Sequence, residues 1–377
     1  MTTVIRCRRL SVVLLVVLGL ALSACSSGPS QVNAAAIVAG KSIGVDRVQE
    51  LVAKAVKAEP AAQVLADQRK LDLLSRAVIR QLVLHELVAD YAAKNNVTVN
   101  EEQVAKLSAD LSASLKPLPT DGSVPPSAIV EQAVNKAFDA DEIARDYLLL
   151  ATIGGVAAAS LAVTFDFIVI APGTAEEGSG SMRDKATAKA KELARGSVED
   201  AERIIDEEVK TGGQAGKGET ITPAAAPEIA GSLLFGAPKN SVVAFQPNAE
   251  SGGWVVALIR ERATDAKSAE QPTPDPKVAT VLGPRLLQQS VRDLDVRISP
   301  RYGVWDIASM GVAAEGETTG EVYPIAGPAL RDRAPRLGRG AASRANGAIV
   351  GAAIASGRQG LRERWRGPRA GRCACVS

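Results

Sequence analysis

Histidine, cysteine and aromatic residues are scarce in this 377-residue sequence, and each shortage excludes a class of function. A catalytic triad or an imidazole-based metal site is not expected, because both use histidine side chains and His85 is the only histidine. The four cysteines, Cys7, Cys25, Cys373 and Cys375, lie near the two ends and offer no disulfide framework. Aromatic residues make up 3% of the chain, which argues against nucleic-acid binding by base stacking. We therefore expect no metal, no cofactor and no nucleic-acid partner.

Candidate catalytic motifs fail on spacing. His85 lies inside a helical pattern, which is typical of a half-buried structural histidine rather than of a catalytic base. The glycine-rich stretch Thr211–Gly218 does not fit a phosphate-binding loop, because its ends stand where glycine and Ser/Thr are required. Adjacent carboxylates such as Glu101 and Glu102 point apart on a helix. We therefore assign no catalytic residue.

The N-terminus has the composition of a bacterial secretory signal. Three arginines precede an uncharged apolar run, Leu10–Leu22, and small residues follow it. The residues up to Cys25 resemble a lipobox, in which the thiol of Cys25 takes up a diacylglyceryl group, and two or more acyl chains hold a protein stably at a membrane. The alternative is an ordinary signal peptide followed by a chance cysteine. We predict a signal peptide over residues 1–24, a lipid-anchored tether over 25–35, and an extracytoplasmic location at the cell membrane.

Two helical patterns between Leu71 and Leu115 organise the N-terminal half. The first ends at Asn95-Asn96, where asparagine tolerates a left-handed turn, and the second begins after Asn100 as its N-cap. Another helical pattern runs from Ser127 to Tyr147, so the first 150 residues are mostly helical. The apolar stripe of the first two patterns consists of Leu71, Leu74, Val78, Leu82, Leu87, Val104, Leu107, Leu111 and Leu115. Such a stripe either belongs to a core or binds other chains.

The uncharged run from Tyr147 to Phe165 is long enough to raise the possibility of a membrane span. Gly154-Gly155 and several alanines weaken that interpretation. The sequence favours the end of a helix followed by a buried strand, Val163–Ile170.

Residues 163–262 alternate between strand and helix patterns, which indicates a small α+β domain. The predicted order is strand Val163–Ile170, helices Met182–Leu193 and Glu199–Val209, a short helix near Pro227–Phe235, and strands Val242–Phe245 and Trp254–Ile259. Residues 263–276 form a proline-rich linker. Residues 277–306 return to helical periodicity and are expected to cover part of the N-terminal apolar stripe.

From residue 310 the sequence loses its periodicity. Residues 331–377 hold eleven arginines, no lysine and two acidic residues, whereas residues 26–330 have a net charge near −10. We interpret 310–377 as a basic low-complexity tail, with a frame shift in the coding sequence as the alternative.

Several of these segments together resemble the SurA/PrsA family of extracytoplasmic chaperones and foldases. The lipobox, the first strand and the helices follow one another in the order found in this family. The middle segment, residues 163–262, resembles the family's parvulin-type prolyl isomerase domain. The matching segments are Ile37–Ile43, Ala92–Val104, Gly212–Gly216, Ala230–Phe235 and Gly252–Val256.

The resemblance implies an α+β fold in which a mostly helical, discontinuous chaperone module, residues 36–162 plus 277–306, contains an inserted parvulin-like domain, residues 163–262. It also implies binding of unfolded or secreted polypeptides at a membrane. Active parvulins place histidines on the central strands, whereas the corresponding positions here are Phe167 and Val255. We therefore expect little isomerase activity. Two alternatives remain: a cell-envelope scaffold lipoprotein for one specific partner, and an active isomerase.

Overall fold

The fold combines helices and antiparallel sheets, in agreement with the α+β class. A computed structural model describes residues 33–171, 181–247, 252–266 and 275–325. The helices in these ranges are α1 (Val45–Ala58), α2 (Ala61–Asp67), α3 (Leu71–Asn95), α4 (Glu101–Ser114), α5 (Pro126–Ala137), α6 (Ala140–Ala158), α7 (Met182–Ala194), α8 (Val198–Lys210), α9 (Pro276–Leu286) and α10 (Gln288–Asp293), with short 3-10 helices at Pro227–Ile229 and Leu233–Phe235.

The strands of the described ranges form three sheets, and each of their pairings is antiparallel. The strands are β1 (Ala34–Val38), β2 (Lys41–Gly44), β3 (Ala162–Ile170), β4 (Ala215–Ile221), β5 (Ser241–Phe245), β6 (Trp254–Ala263), β7 (Arg297–Ile298), β8 (Val304–Asp306), β9 (Gly311–Ala313) and β10 (Gly320–Pro324). Their orders are β2-β1-β7, β10-β5-β6-β3-β4 and β8-β9.

The predicted turn between the first two helical patterns is confirmed. Asn96 has φ +53° and ends α3 in the left-handed region that asparagine tolerates. The side chain of Asn100 accepts hydrogen bonds from the backbone N–H groups of Glu102 and Gln103, which caps α4. Local sequence chemistry therefore places both helix ends.

The helical pattern from Ser127 to Tyr147 forms two helices, not one. α5 ends at Ala137, and the carboxylate of Asp139 then accepts hydrogen bonds from the N–H groups of Asp141 and Glu142 to cap α6. Phe138 between them has extended backbone angles and is buried in the core. The apolar spacing hides the break because Phe138 continues the buried stripe.

The uncharged run that follows is a helix end and a strand, as predicted. α6 continues to Ala158, and β3 begins at Ala162 and lies at an interior position of the five-stranded sheet. Among the described residues, no helix combines the length and the apolarity that crossing a membrane requires.

The segment after the linker packs on the N-terminal helices. Leu287, Val291 and Leu294 share one hydrophobic core with the buried face of α3, including Leu74 and Val78. β7 also pairs with β1. The expectation that the returning segment covers part of the apolar stripe is therefore met.

The glycine-rich stretch is partly a strand, which the sequence did not predict. β4 begins at Ala215 and pairs with β3 across a bulge. Asp166 lies fully buried beside the bulge, where its two carboxylate oxygens accept from the N–H of Gly218 at 2.7 Å and from Arg260 Nη1 at 2.8 Å. The buried carboxylate of Asp166 thus binds the backbone of β4, a contact that the glycine-rich sequence does not indicate.

Residues 310–325, which the sequence assigns to the tail, contain β9 and β10. We call residues 302–325 the C-terminal strap, because its side chains enter each of the three hydrophobic clusters that the described residues form. These side chains are Tyr302, Trp305 and Met310 in the first cluster, Ile307, Ala308 and Val322 in the second, and Tyr323 and Ile325 in the third. The described structure therefore includes the first 16 residues of the predicted tail.

Several predictions concern residues outside the described ranges. These are the signal peptide, Cys25 and its tether up to residue 32, Cys373 and Cys375, part of the linker, and the basic residues from 326 onward.

Candidate functional site

A largely apolar groove lies among helices α3, α4, α5 and α6, with a volume of about 720 Å³. We call it the helical groove. Its lining consists of Ala77, Arg80 and Gln81 from α3, Leu107 and Leu111 from α4, Ser127, Val130, Glu131, Val134 and Asn135 from α5, and Ile143 and Tyr147 from α6. A concave apolar surface with a few polar groups is the usual form of a binding site.

The groove is open because α4 packs mainly on α6. Val104 and Ser108 are the buried positions of α4, whereas Leu107 and Leu111 remain only half-buried and point into the groove. The sequence treats Leu107 and Leu111 as part of the same stripe as the core leucines of α3. The structure thus divides the stripe: its α3 part packs in or against the core, and Leu107 and Leu111 of α4 line a groove.

The outer wall of the groove is tied together by an ion pair between α4 and α6. The guanidinium of Arg145 binds both carboxylate oxygens of Glu101, one of them at 2.8 Å. The hydrogen bond from Arg145 lowers the pKa of Glu101. Both groups are exposed, so the pair adds little stability.

Arg80 is the one basic side chain in the groove lining. Its Nε donates to the backbone oxygen of Met310, in the C-terminal strap, at 3.1 Å. Desolvation lowers the pKa of Arg80, and the charge of Glu131 across the groove opposes that change. The guanidinium remains a cation at neutral pH.

His85 lies one turn beyond Gln81 and joins α3 to α6. Its Nδ1 is 3.1 Å from both carboxylate oxygens of Asp146 and 3.5 Å from Oε1 of Glu142. The hydrogen bond with Asp146 raises the pKa of His85. The side chain of Asp146 is 8% exposed, so this carboxylate depends on the imidazole for compensation. The arrangement is that of a half-buried structural histidine.

In the five-stranded sheet, the structure brings Phe167 and Val255 to one face. β3 and β6 pair so that Phe167 lies opposite Ala257 and Val255 opposite Val169, two residues along. Both side chains belong to the same hydrophobic cluster. The Phe167 ring also covers Gly216 of β4, where a Cβ would come within 2.6 Å of it. An apolar surface at these positions offers no general acid or base.

The groove itself could be anticipated only in part. The stripe of α4 was visible in the sequence, but Arg80 was missed, because its residue type and its exposure to solvent are those of an ordinary surface cation. Its groove environment depends on Met310, 230 residues away.

Comparisons with known proteins do not assign the chain to a family. No protein-family model matches it, and no curated protein matches it.

Proposed function

We propose that this chain is a membrane-tethered, extracytoplasmic, chaperone-like lipoprotein that binds unfolded or secreted polypeptides in the helical groove. The observation that carries the proposal is the groove, in which half-buried leucines of α4 face apolar residues of α5 and α6. A concave, largely apolar surface that the rest of the described chain leaves unfilled can hold an apolar segment of another chain. The lipobox-like sequence at Cys25 and the resemblance to the SurA/PrsA family support the same function and location.

Prolyl isomerase activity is not part of the proposal. Parvulin catalysis requires a polar pocket, and the barrier to isomerisation is about 20 kcal/mol. The chain's single histidine, His85, lies in α3 and not in the sheet, where Phe167 and Val255 are apolar. Acceleration of prolyl isomerisation in a peptide, at a rate typical of active parvulins, would establish the third candidate, an active isomerase.

Suppression of aggregation tests the chaperone role. The full chain is mixed with a chemically unfolded model enzyme, and light scattering is followed after dilution of the denaturant. We expect wild-type protein to reduce scattering and Leu107→Gln/Leu111→Gln to lose most of that effect. The matched control is Ala109→Gln/Ala113→Gln, which makes the same change at two exposed positions of α4 outside the groove.

The result separates this function from the second candidate, a scaffold lipoprotein for one specific partner. A dedicated scaffold would leave aggregation of an unrelated unfolded enzyme unchanged. Lipid anchoring is tested separately in a bacterial host: we expect labelled palmitate to enter the wild-type chain and the chain to fractionate with membranes. Both should be lost in Cys25→Ser, and release of unlabelled wild-type protein would contradict the anchor.

A further inference from the structure

The guanidinium of Arg80 is held in place from one side only. Its Nε is bound to the Met310 backbone oxygen, and its stem packs on β9, where a Cβ added at Gly311 would lie 3.1 Å from Arg80 Cδ. The strap therefore fixes the base of the side chain. The strap does not bind the two Nη groups, which carry four of the five N–H donors.

No described carboxylate lies within 4.0 Å of the Arg80 guanidinium, and its Nη groups have no hydrogen-bond partner among the described residues. By contrast, the neighbouring Arg76, one turn earlier, is paired with Asp72 at 2.7 Å. Glu131 also lines the groove and acts on Arg80 only at longer range. Arg80 is exposed at the groove, so water compensates its charge when no anion is bound, and the two Nη groups are accessible to a ligand.

We propose that Arg80 binds a carboxylate of the polypeptide that occupies the helical groove. This inference rests on the proposed function and specifies its substrate: an apolar segment that carries a carboxylate, either at the C-terminus of the client or on an aspartate or glutamate. The free fork of Arg80 matches the planar, two-oxygen geometry of a carboxylate.

The lining favours a polypeptide over a simple hydrocarbon chain. Gln81, Ser127 and Asn135 stand between the apolar side chains, and their side-chain polar atoms make no hydrogen bond to the described residues. Amide and hydroxyl groups suit the N–H and C=O groups of a peptide backbone. Among the described lining residues Arg80 is the cation and Glu131 the anion, so charge complementarity favours a carboxylate next to Arg80 and away from Glu131.

Peptide binding to the full chain tests the assignment. The probe is a labelled seven-residue peptide of leucine, valine and alanine, since α4 is 14 residues or about 21 Å long and an extended heptapeptide spans about the same length. It is used with a free C-terminal acid, with a C-terminal amide, and as an amide with one internal aspartate. Fluorescence anisotropy should show that wild-type protein binds the acid roughly tenfold more tightly than the amide, as for a charge-assisted hydrogen bond. Tight binding of the aspartate peptide as well would identify a side-chain carboxylate as a second source.

Arg80→Gln should abolish the preference and bind the amide as tightly as wild type, which also shows that the groove remains folded. Lys106→Gln removes an exposed cation of α4 outside the lining and should keep the preference. Equal wild-type affinity for acid and amide, or a preference that persists in Arg80→Gln, overturns the assignment while leaving polypeptide binding intact. Failure of every peptide to bind the wild-type chain overturns the proposed function together with it.

Discussion

Gly154 of α6 lies directly against the backbone oxygen of Ala279 of α9, so closely that a Cβ added to Gly154 would be 1.9 Å from that oxygen. A second glycine makes the reciprocal approach: a Cβ at Gly283 would be 2.3 Å from the backbone oxygen of Leu150. These two positions let α6 and α9 pack backbone to backbone. The helix that follows the linker is thereby joined to the helix that forms the outer wall of the groove.

We predict that Gly154→Ala lowers the free energy of unfolding by about 1–3 kcal/mol, because one methyl group forces the two helices apart. Urea denaturation monitored by circular dichroism measures the change. Gly155→Ala is the matched control, since its Cβ would lie 3.8 Å from Ala279 Cβ, at an ordinary contact distance. That control should be neutral or slightly stabilising, as expected for alanine in place of glycine within a helix. Equal effects at both positions would contradict the close approach.

A second prediction concerns Glu59, a fully buried carboxylate that joins α1 to α5. Its oxygens accept from Lys136 Nζ at 2.7 Å, from Gln132 Nε2 at 2.5 Å, and from the backbone N–H groups of Ala61 and Leu118. Burial by itself would raise the pKa of Glu59, but the hydrogen bonds outweigh it and the pKa is lowered. Glu59→Gln leaves Lys136 unpaired at 12% exposure, so we expect a loss of about 3 kcal/mol in urea denaturation.

The ion pair can be separated from the packing by a double-mutant cycle. Glu59→Gln combined with Lys136→Met removes both charges together, and we expect the double variant to lose less than the sum of the single losses. Additive losses would show that the charges do not interact and would contradict the role assigned to the pair.

The sequence predicted those parts of the fold that local chemistry determines. The left-handed turn at Asn96 and the cap at Asn100 follow from single side chains and their nearest neighbours. The break between α5 and α6 was not predicted, because the buried Phe138 preserves the apolar spacing across it. The strap and the surroundings of Arg80 were not predicted for a different reason. They involve contacts between residues more than 200 positions apart, such as Arg80 and Met310.

The third prediction tests the strap. Asp306 is 1% exposed, and its Oδ2 accepts from the N–H and the hydroxyl of Thr319, the latter at 2.6 Å. Removing the carboxylate takes away the acceptor of these half-buried donors, so Asp306→Ala should lower the free energy of unfolding by about 1–3 kcal/mol. Hydrogen exchange of β10 amides should accelerate at the same time. Thr319→Val, which removes the hydroxyl alone, should have a smaller effect, and unchanged exchange of β10 in Asp306→Ala would contradict the prediction.

The last prediction follows from His85 and its partners on α6. Because Asp146 raises the pKa of His85 in the folded protein, the folded state binds the imidazole proton more tightly than the unfolded state does. The resulting stabilisation is fully present below the unfolded pKa of about 6.5 and is lost as the pH rises through the higher folded pKa. Solvent screens the half-buried imidazole, so we expect a contribution below about 1 kcal/mol.

The measurement is the difference in free energy of unfolding between wild type and His85→Gln across the pH range from 5 to 9, since the difference removes the titration of other groups. We expect wild type to be relatively more stable at the acidic end and this advantage to decline as the pH rises. The charges that act on the imidazole are Asp146 and Glu142 from α6 and Glu86 from α3, the last of which is also paired with Lys41 of β2 at 2.9 Å. A difference that is constant with pH would mean that the imidazole is not the titrating group that joins α3 to α6.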